Sequence, residues 1–182
     1  HMEYGMAIGD VPTKNWRVAY WDKGPGELGG TAVAESVLTK NHSCFACPVS
    51  CKRIVEVKSG PYALEEGPGA EYEAAAALGT LHFMDNREAN QKANELCNRM
   101  GMDVISCGST LAYATEAFEA GLISEKDTGG LKLGWNQPQV LLELIEKTAR
   151  REGIGDDLAE GVRAMSEKYG GKEMAIHVKG LE

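Results

Sequence analysis

The sequence has no long apolar run. No stretch approaches the roughly 18 consecutive apolar residues that a membrane span requires, which excludes a helical membrane protein. No charged-then-apolar leader precedes a small-residue cleavage site, so the chain reads as soluble and unexported. Positive charge is in deficit: 19 Lys and Arg stand against 27 Asp and Glu, giving a net charge of -8, and the basic residues are spread rather than striped. That pattern excludes a nucleic-acid partner held by counterion release. Histidine is scarce too. Of the four, His1 belongs with Met2 to what reads as the remnant of a cleaved tag, and His42, His82 and His177 do not pair at metal-ligand spacing. There is no internal repeat and no low-complexity tract. A chain of 182 residues can bury an ordinary core without disulfides, and an odd five cysteines, three of them clustered, match a reducing cytoplasm.

What is there is a tight trio of thiols. Cys44, Cys47 and Cys51 stand at C-x2-C-x3-C, with Pro48 stiffening the turn between them. Three thiols so close suit one soft metal centre. A loop giving three ligands, with a fourth from elsewhere, is a common way to hold a cubane iron–sulfur cluster, whose four iron corners each need a ligand. The spacing is neither the ferredoxin run nor the C-x3-C-x2-C loop of radical enzymes that use S-adenosylmethionine. Structural zinc is the second reading, weakened because zinc sites usually pair two knuckles and only one is present. Three reduced thiols without metal are the third.

The rest of the chain sets the fold class. Gly5, Gly9, Pro12, Gly24, Pro25, Gly26, Gly29 and Gly30 exclude a long helix over residues 3–30, which reads as mostly irregular. Within it, Pro12-Thr13-Lys14-Asn15-Trp16 reads as a docking strand or an active-site loop, although an aromatic in such a segment more often pins the loop to the core. Residues 31–40 read as a short helix capped by Thr31, and Ile54, Val55 and Val57 as a brief strand ending at Gly60-Pro61. Helical signals dominate from Glu71 onward. Ala74 to Leu78 run to Gly79; Ala89, Ala93, Leu96, Cys97 and Met100 recur at helix spacing up to Gly101; Asp103 caps the next helix to Gly121. Pro138 opens a helix to Gly153, Asp156 and Asp157 open another to Gly170, and residues 174–178 form a strand or extended exit. The class is mainly α: a multihelical domain over residues 3–182 with a small irregular, β-containing region around the cysteines.

Several of these stretches together resemble the tungsten-containing aldehyde ferredoxin oxidoreductase family. They are the cysteine loop with Lys52-Arg53, Gly69-Ala70-Glu71-Tyr72-Glu73 with Ala76, Leu78 and Gly79, and Leu96 through Ser106 before Gly108. Residues 12–16 and the ending His177-Val178-Lys179-Gly180-Leu181-Glu182 share the likeness. The resemblance implies a three-domain enzyme with a β-rich base and two helical domains, of which this chain looks like the first helical domain. It implies a tungsten or molybdenum bis-pterin, a 4Fe-4S cluster, oxidation of aldehydes to carboxylic acids, and ferredoxin as electron acceptor. A benzoyl-coenzyme A reductase-type subunit is the alternative within the family, and a standalone iron–sulfur or zinc-binding module the alternative outside it.

By resemblance, Cys44, Cys47 and Cys51 hold three corners of the cluster, with the fourth ligand outside this chain. Cys97 and Cys107 are then buried structural cysteines. Glu73 falls at a family carboxylate near the tungsten site, where it would act as general base or bond to the substrate carbonyl; on the residues alone it reads as a first-turn helix charge. Asn98 to Asp103 match a pterin-binding turn, Asp-x-x-Gly-Leu-Asp, in which Asn98 replaces the first acid and so adds no negative charge. Lys92 and Glu95 stand where some members hold a subunit-bridging metal with Glu-x-x-His, and a charged lysine cannot ligate. The expected partners are ferredoxin, an aldehyde, the flanking domains of a longer chain and a second copy in a homodimer. The 182 residues alone, lacking the fourth ligand and most of a pterin cage, are expected to be inactive and free of cofactor.

Overall fold

The computed structural model describes residues 2–182. The chain opens with α1 (Met2–Ala7), α2 (Lys23–Leu28) and α3 (Gly30–Ser36), followed by three strands, β1 (Leu38–His42), β2 (Lys52–Val57) and β3 (Leu64–Pro68). Helices then take over: α4 (Tyr72–Ala77), α5 (Arg87–Met100), α6 (Val104–Glu119), α7 (Pro138–Arg150), α8 (Ile154–Leu158) and α9 (Gly161–Tyr169). Short 3-10 turns lie at Thr80–His82 and Lys172–Met174. The protein is mainly α with one small sheet, as its sequence indicates.

Helix boundaries in the middle of the chain follow local chemistry. Asn86 caps α5 by accepting from the Ala89 N–H at 2.9 Å, and Gly101 ends it at φ 72°, a left-handed stop that glycine adopts without a Cβ penalty. Asp103 caps α6 by accepting from the Ser106 N–H at 2.7 Å. Pro138 sits in the first turn of α7, where its missing N–H is not needed.

Elsewhere tertiary pairing overrides local signal. The helix expected over residues 31–40 starts at Gly30, is capped by Gly29 rather than Thr31 and stops at Ser36; Leu38–His42 instead pairs with β2. β3 carries no strand propensity of its own in Leu-Glu-Glu-Gly-Pro and is recruited by the other edge of β2, giving an antiparallel sheet ordered β1-β2-β3. The helix expected from Asp156 to Gly170 breaks after α8, and Gly161, at φ 84°, opens α9. The irregular opening holds two six-residue helices, and the exit after residue 174 closes only an isolated bridge between Val178 and Leu181.

Three apolar clusters hold these parts. The largest lies among α5 to α9, with Leu111, Tyr113, Leu144, Ile145, Val162 and Met165 buried. A second packs Met2, Met6, Val11 and Leu28 onto Ala70 and the alanine face of α4. The third joins Val33 and Val37 to Val55, Val57 and Leu64 of the sheet. Burying an alanine face lets α4 approach α6 closely. A Cβ on Gly108 would stand 2.4 Å from the Ala77 carbonyl oxygen, so this crossing requires glycine.

Candidate functional site

The cysteine loop is the tip of a hairpin. β1 and β2 pair as far as His42 and Lys52, and residues 43–51 project beyond that last pair. The Cys47 N–H donates to the Cys44 carbonyl at 3.0 Å, closing a turn through Ala46 at φ 57°; Ser50 repeats the left-handed conformation at φ 54°. Cys44 and Cys51 are exposed, Cys47 is half-buried, and all three are free thiols. Among the described residues no three His, Cys, Asp or Glu side chains converge on one point, so the loop presents the sulfurs without gathering them. As a donor set, three reachable thiols on one loop fit a soft centre whose remaining ligand comes from elsewhere. Phe45 is fully exposed and Val49 largely so at the same tip.

Cys97 and Cys107 are of another kind. Both are buried, and the neighbouring Cys97 together with burial pushes the Cys107 thiol well above its ordinary range. A thiol kept protonated is a poor ligand, in keeping with a structural role.

Glu73 stands exposed in the first turn of α4. The segment that delivers it is fixed from two sides. Arg53 of β2 donates to the Ala70 carbonyl at 3.1 Å and pairs with Glu71 at 2.8 Å. From α5, Gln91 accepts from the Ala70 N–H at 2.8 Å, Asn90 donates to the Ala75 carbonyl at 3.2 Å, and Asn94 donates to the Pro68 carbonyl at 3.3 Å. One face of α5 therefore carries a row of buried amides that holds residues 68–75, a feature hidden by the apolar stripe on its other face.

Asn98 continues that row into the last turn of α5. Its Nδ2 donates back to the Asn94 carbonyl at 2.9 Å and to Asn94 Oδ1 at 3.2 Å, so its donor end is committed to the helix and its acceptor is what it offers outward. Asn98, Asn94, Glu73 and Lys52 line one cavity of about 590 Å³, and Lys52 directly follows Cys51. The structure thus brings Glu73 and Asn98 to one space beside the root of the cysteine loop. Asp103 is not in that group. With Oδ1 spent on its cap, it lines a separate cavity of about 320 Å³ with Cys107, Thr110 and Arg151. Arg151, left-handed at φ 54° and paired with Asp156 at 2.9 Å and Glu160 at 2.7 Å, carries no signal in the sequence that marks it.

Two further expectations meet the structure here. Lys92 and Glu95 lie 3.4 Å apart as an ion pair, and Glu95 also accepts from Arg99 at 2.7 Å, so the carboxylate at the bridging-metal position is engaged by two cations. Trp16 does not pin its loop to the core. Thr13 and Asn15 are the buried residues there, and Trp16 is 53% exposed on the wall of a third cavity, about 320 Å³, which Glu73 also lines.

A helical body with a three-stranded cap carries the hairpin tip of three thiols and, at its root, the cavity that Glu73 and Asn98 line. The family model described as aldehyde ferredoxin oxidoreductase, domains 2 and 3, matches residues 1–182, and the chain belongs to this family. Tungsten-containing aldehyde ferredoxin oxidoreductase of Pyrococcus furiosus is 36% identical over 99% of this chain and 30% of its own length; that of Pyrococcus horikoshii is 37% identical over 99% and 31%. The chain thus spans about a third of these curated relatives. In fold it is similar to the active-site complex of benzoyl coenzyme A reductase with 1,5-dienoyl-CoA, at a TM-score of 0.77 and 20% identity, over 98% of this chain and 28% of that one.

Proposed function

We propose that the chain is part of a cytoplasmic tungsten or molybdenum pterin, iron–sulfur oxidoreductase that oxidises aldehydes to carboxylic acids and passes the electrons to ferredoxin. One observation supports this most: Glu73 and Asn98 share a cavity with Lys52, directly after the last cysteine of the loop. When bound, the metal pterin supplies two-electron chemistry and the cluster relays electrons singly. The chain's own residues bind and orient. Cys44, Cys47 and Cys51 give three thiolates to the cluster. Asn98 would accept through Oδ1 from pterin N–H groups, and Asp103, which opens on a separate cavity, would reach the cofactor only with the carboxylate oxygen its cap leaves over. Glu73 takes a proton from the substrate hydrate or holds its hydroxyl at a carboxylate oxygen. The fourth cluster ligand and most of the pterin cage come from other parts of a longer chain, so the 182 residues alone are inactive.

The test is made on the full-length protein, purified without oxygen, by metal analysis and aldehyde-dependent ferredoxin reduction. Tungsten or molybdenum is expected with iron, and Glu73→Gln lowers kcat by about 10²–10⁴-fold, the usual worth of a general base, with metal content unchanged. Absence of both metals, or full kcat in the variant, contradicts the reading. A benzoyl-coenzyme A reductase-type subunit has the fold likeness in its favour. Turnover of benzoyl-coenzyme A in place of aldehydes would decide for it.

A further inference from the structure

Lys14, Asn15 and Trp16 hold φ of 49°, 49° and 64°, three successive left-handed residues, none of them glycine. Each pays a steric penalty there, and such a run persists only where its surroundings over-determine it. Here they do. The Lys14 and Asn15 N–H groups donate to the Thr80 and Leu81 carbonyls, both at 3.0 Å. Asn15 Nδ2 donates to Glu116 Oε2 at 2.5 Å and to the Met174 carbonyl at 2.9 Å, and Arg17 pairs with Glu119 at 2.6 Å. The outcome of this anchoring is an indole left 53% exposed.

What the indole faces gives it a use. With Tyr72, Leu81, Ile105 and Ile176 it forms the apolar wall of a cavity of about 320 Å³, inside the range of about 300–1,000 Å³ common for small-molecule sites. The charged residues on that cavity are Asp10, Glu73 and Glu182; among the described residues no lysine or arginine lines it. We infer that Trp16 is a specificity-determining residue, its indole walling a cavity that takes the apolar body of a neutral substrate beside Glu73 and turns anionic ones away. This rests on Glu73 as the substrate-facing carboxylate.

The test uses the chain itself and needs no bound cofactor. Benzamide, a neutral aryl carbonyl compound inert to lysine, and benzoate, its anionic counterpart, are titrated into ¹⁵N-labelled protein and followed by NMR. Benzamide is expected to shift the Trp16 indole N–H and the Ser109 amide saturably, and benzoate to bind at least about tenfold more weakly. Trp16→Ala weakens benzamide about tenfold, while Trp16→Phe, which keeps an aromatic wall, stays within about threefold of wild type. Equal benzamide affinity in wild type and Trp16→Ala, or shifts confined to other regions, overturns the inference. Neutralising Asp10, Glu73 and Glu182 together as D10N/E73Q/E182Q separates the two claims: it is expected to keep benzamide binding and admit benzoate, and an unchanged exclusion of benzoate overturns the anion-excluding role of this cavity.

Discussion

His82 carries the plainest pH dependence in the molecule. It is buried, its Nε2–H donates to the Gly108 carbonyl at 3.0 Å, and burial pushes its pKa down to about 4, the hydrogen bond opposing that shift. Below about pH 6.5 the unfolded chain takes up this proton and the native one does not. The neutral imidazole's contribution is therefore complete above pH 6.5 and is lost as pH falls towards 4, roughly 3 kcal/mol over that window. Urea midpoints at pH 7 and 4.5 measure it: His82→Gln, which keeps a donor for Gly108 but cannot titrate, should lose distinctly less stability between the two. Single residues differ in how well the sequence announces them. Asp103 is legible as a cap because capping is local, and Cys97 as buried because it continues an apolar stripe. Trp16 is not, because what exposes it lies in Thr80, Glu116 and Met174, far along the chain.

The element that organises the site is α5. Its apolar stripe is visible at helix spacing, and so are its cap and its glycine stop. Its other face is not, because Asn90, Gln91 and Asn94 look like ordinary surface amides until their partners in residues 68–75 are known. Gln91→Leu tests that clamp. It leaves the buried Ala70 N–H without an acceptor, at a cost of about 1–3 kcal/mol. Chemical denaturation should show that loss together with faster hydrogen exchange in residues 69–75; wild-type stability would mean that α5 does not hold this segment. The sheet was less legible for the same reason. β2 announces itself through Ile54, Val55 and Val57, whereas β1 and β3 exist because β2 offers two edges.

At the scale of the whole molecule, the sheet carries the thiols, α4 carries the carboxylate and α5 joins them, while Asp103 opens on the helical side. The family motifs named the parts of the site in order, but only the fold separates Asp103 from Glu73 and Asn98. Lys92 and Glu95, at the positions where the resemblance sets a subunit-bridging metal, are instead paired with each other at 3.4 Å. The hairpin tip is where the cluster would be held. That placement is tested most directly by anaerobic reconstitution of the chain with ferrous iron, sulfide and excess dithiothreitol, the added thiol serving as fourth ligand. Iron and acid-labile sulfide should each reach about four per chain, fall sharply in Cys44→Ser, Cys47→Ser and Cys51→Ser, and hold in Cys97→Ser and Cys107→Ser. Zinc uptake without iron and sulfide, or a cluster indifferent to the three loop cysteines, would contradict the account.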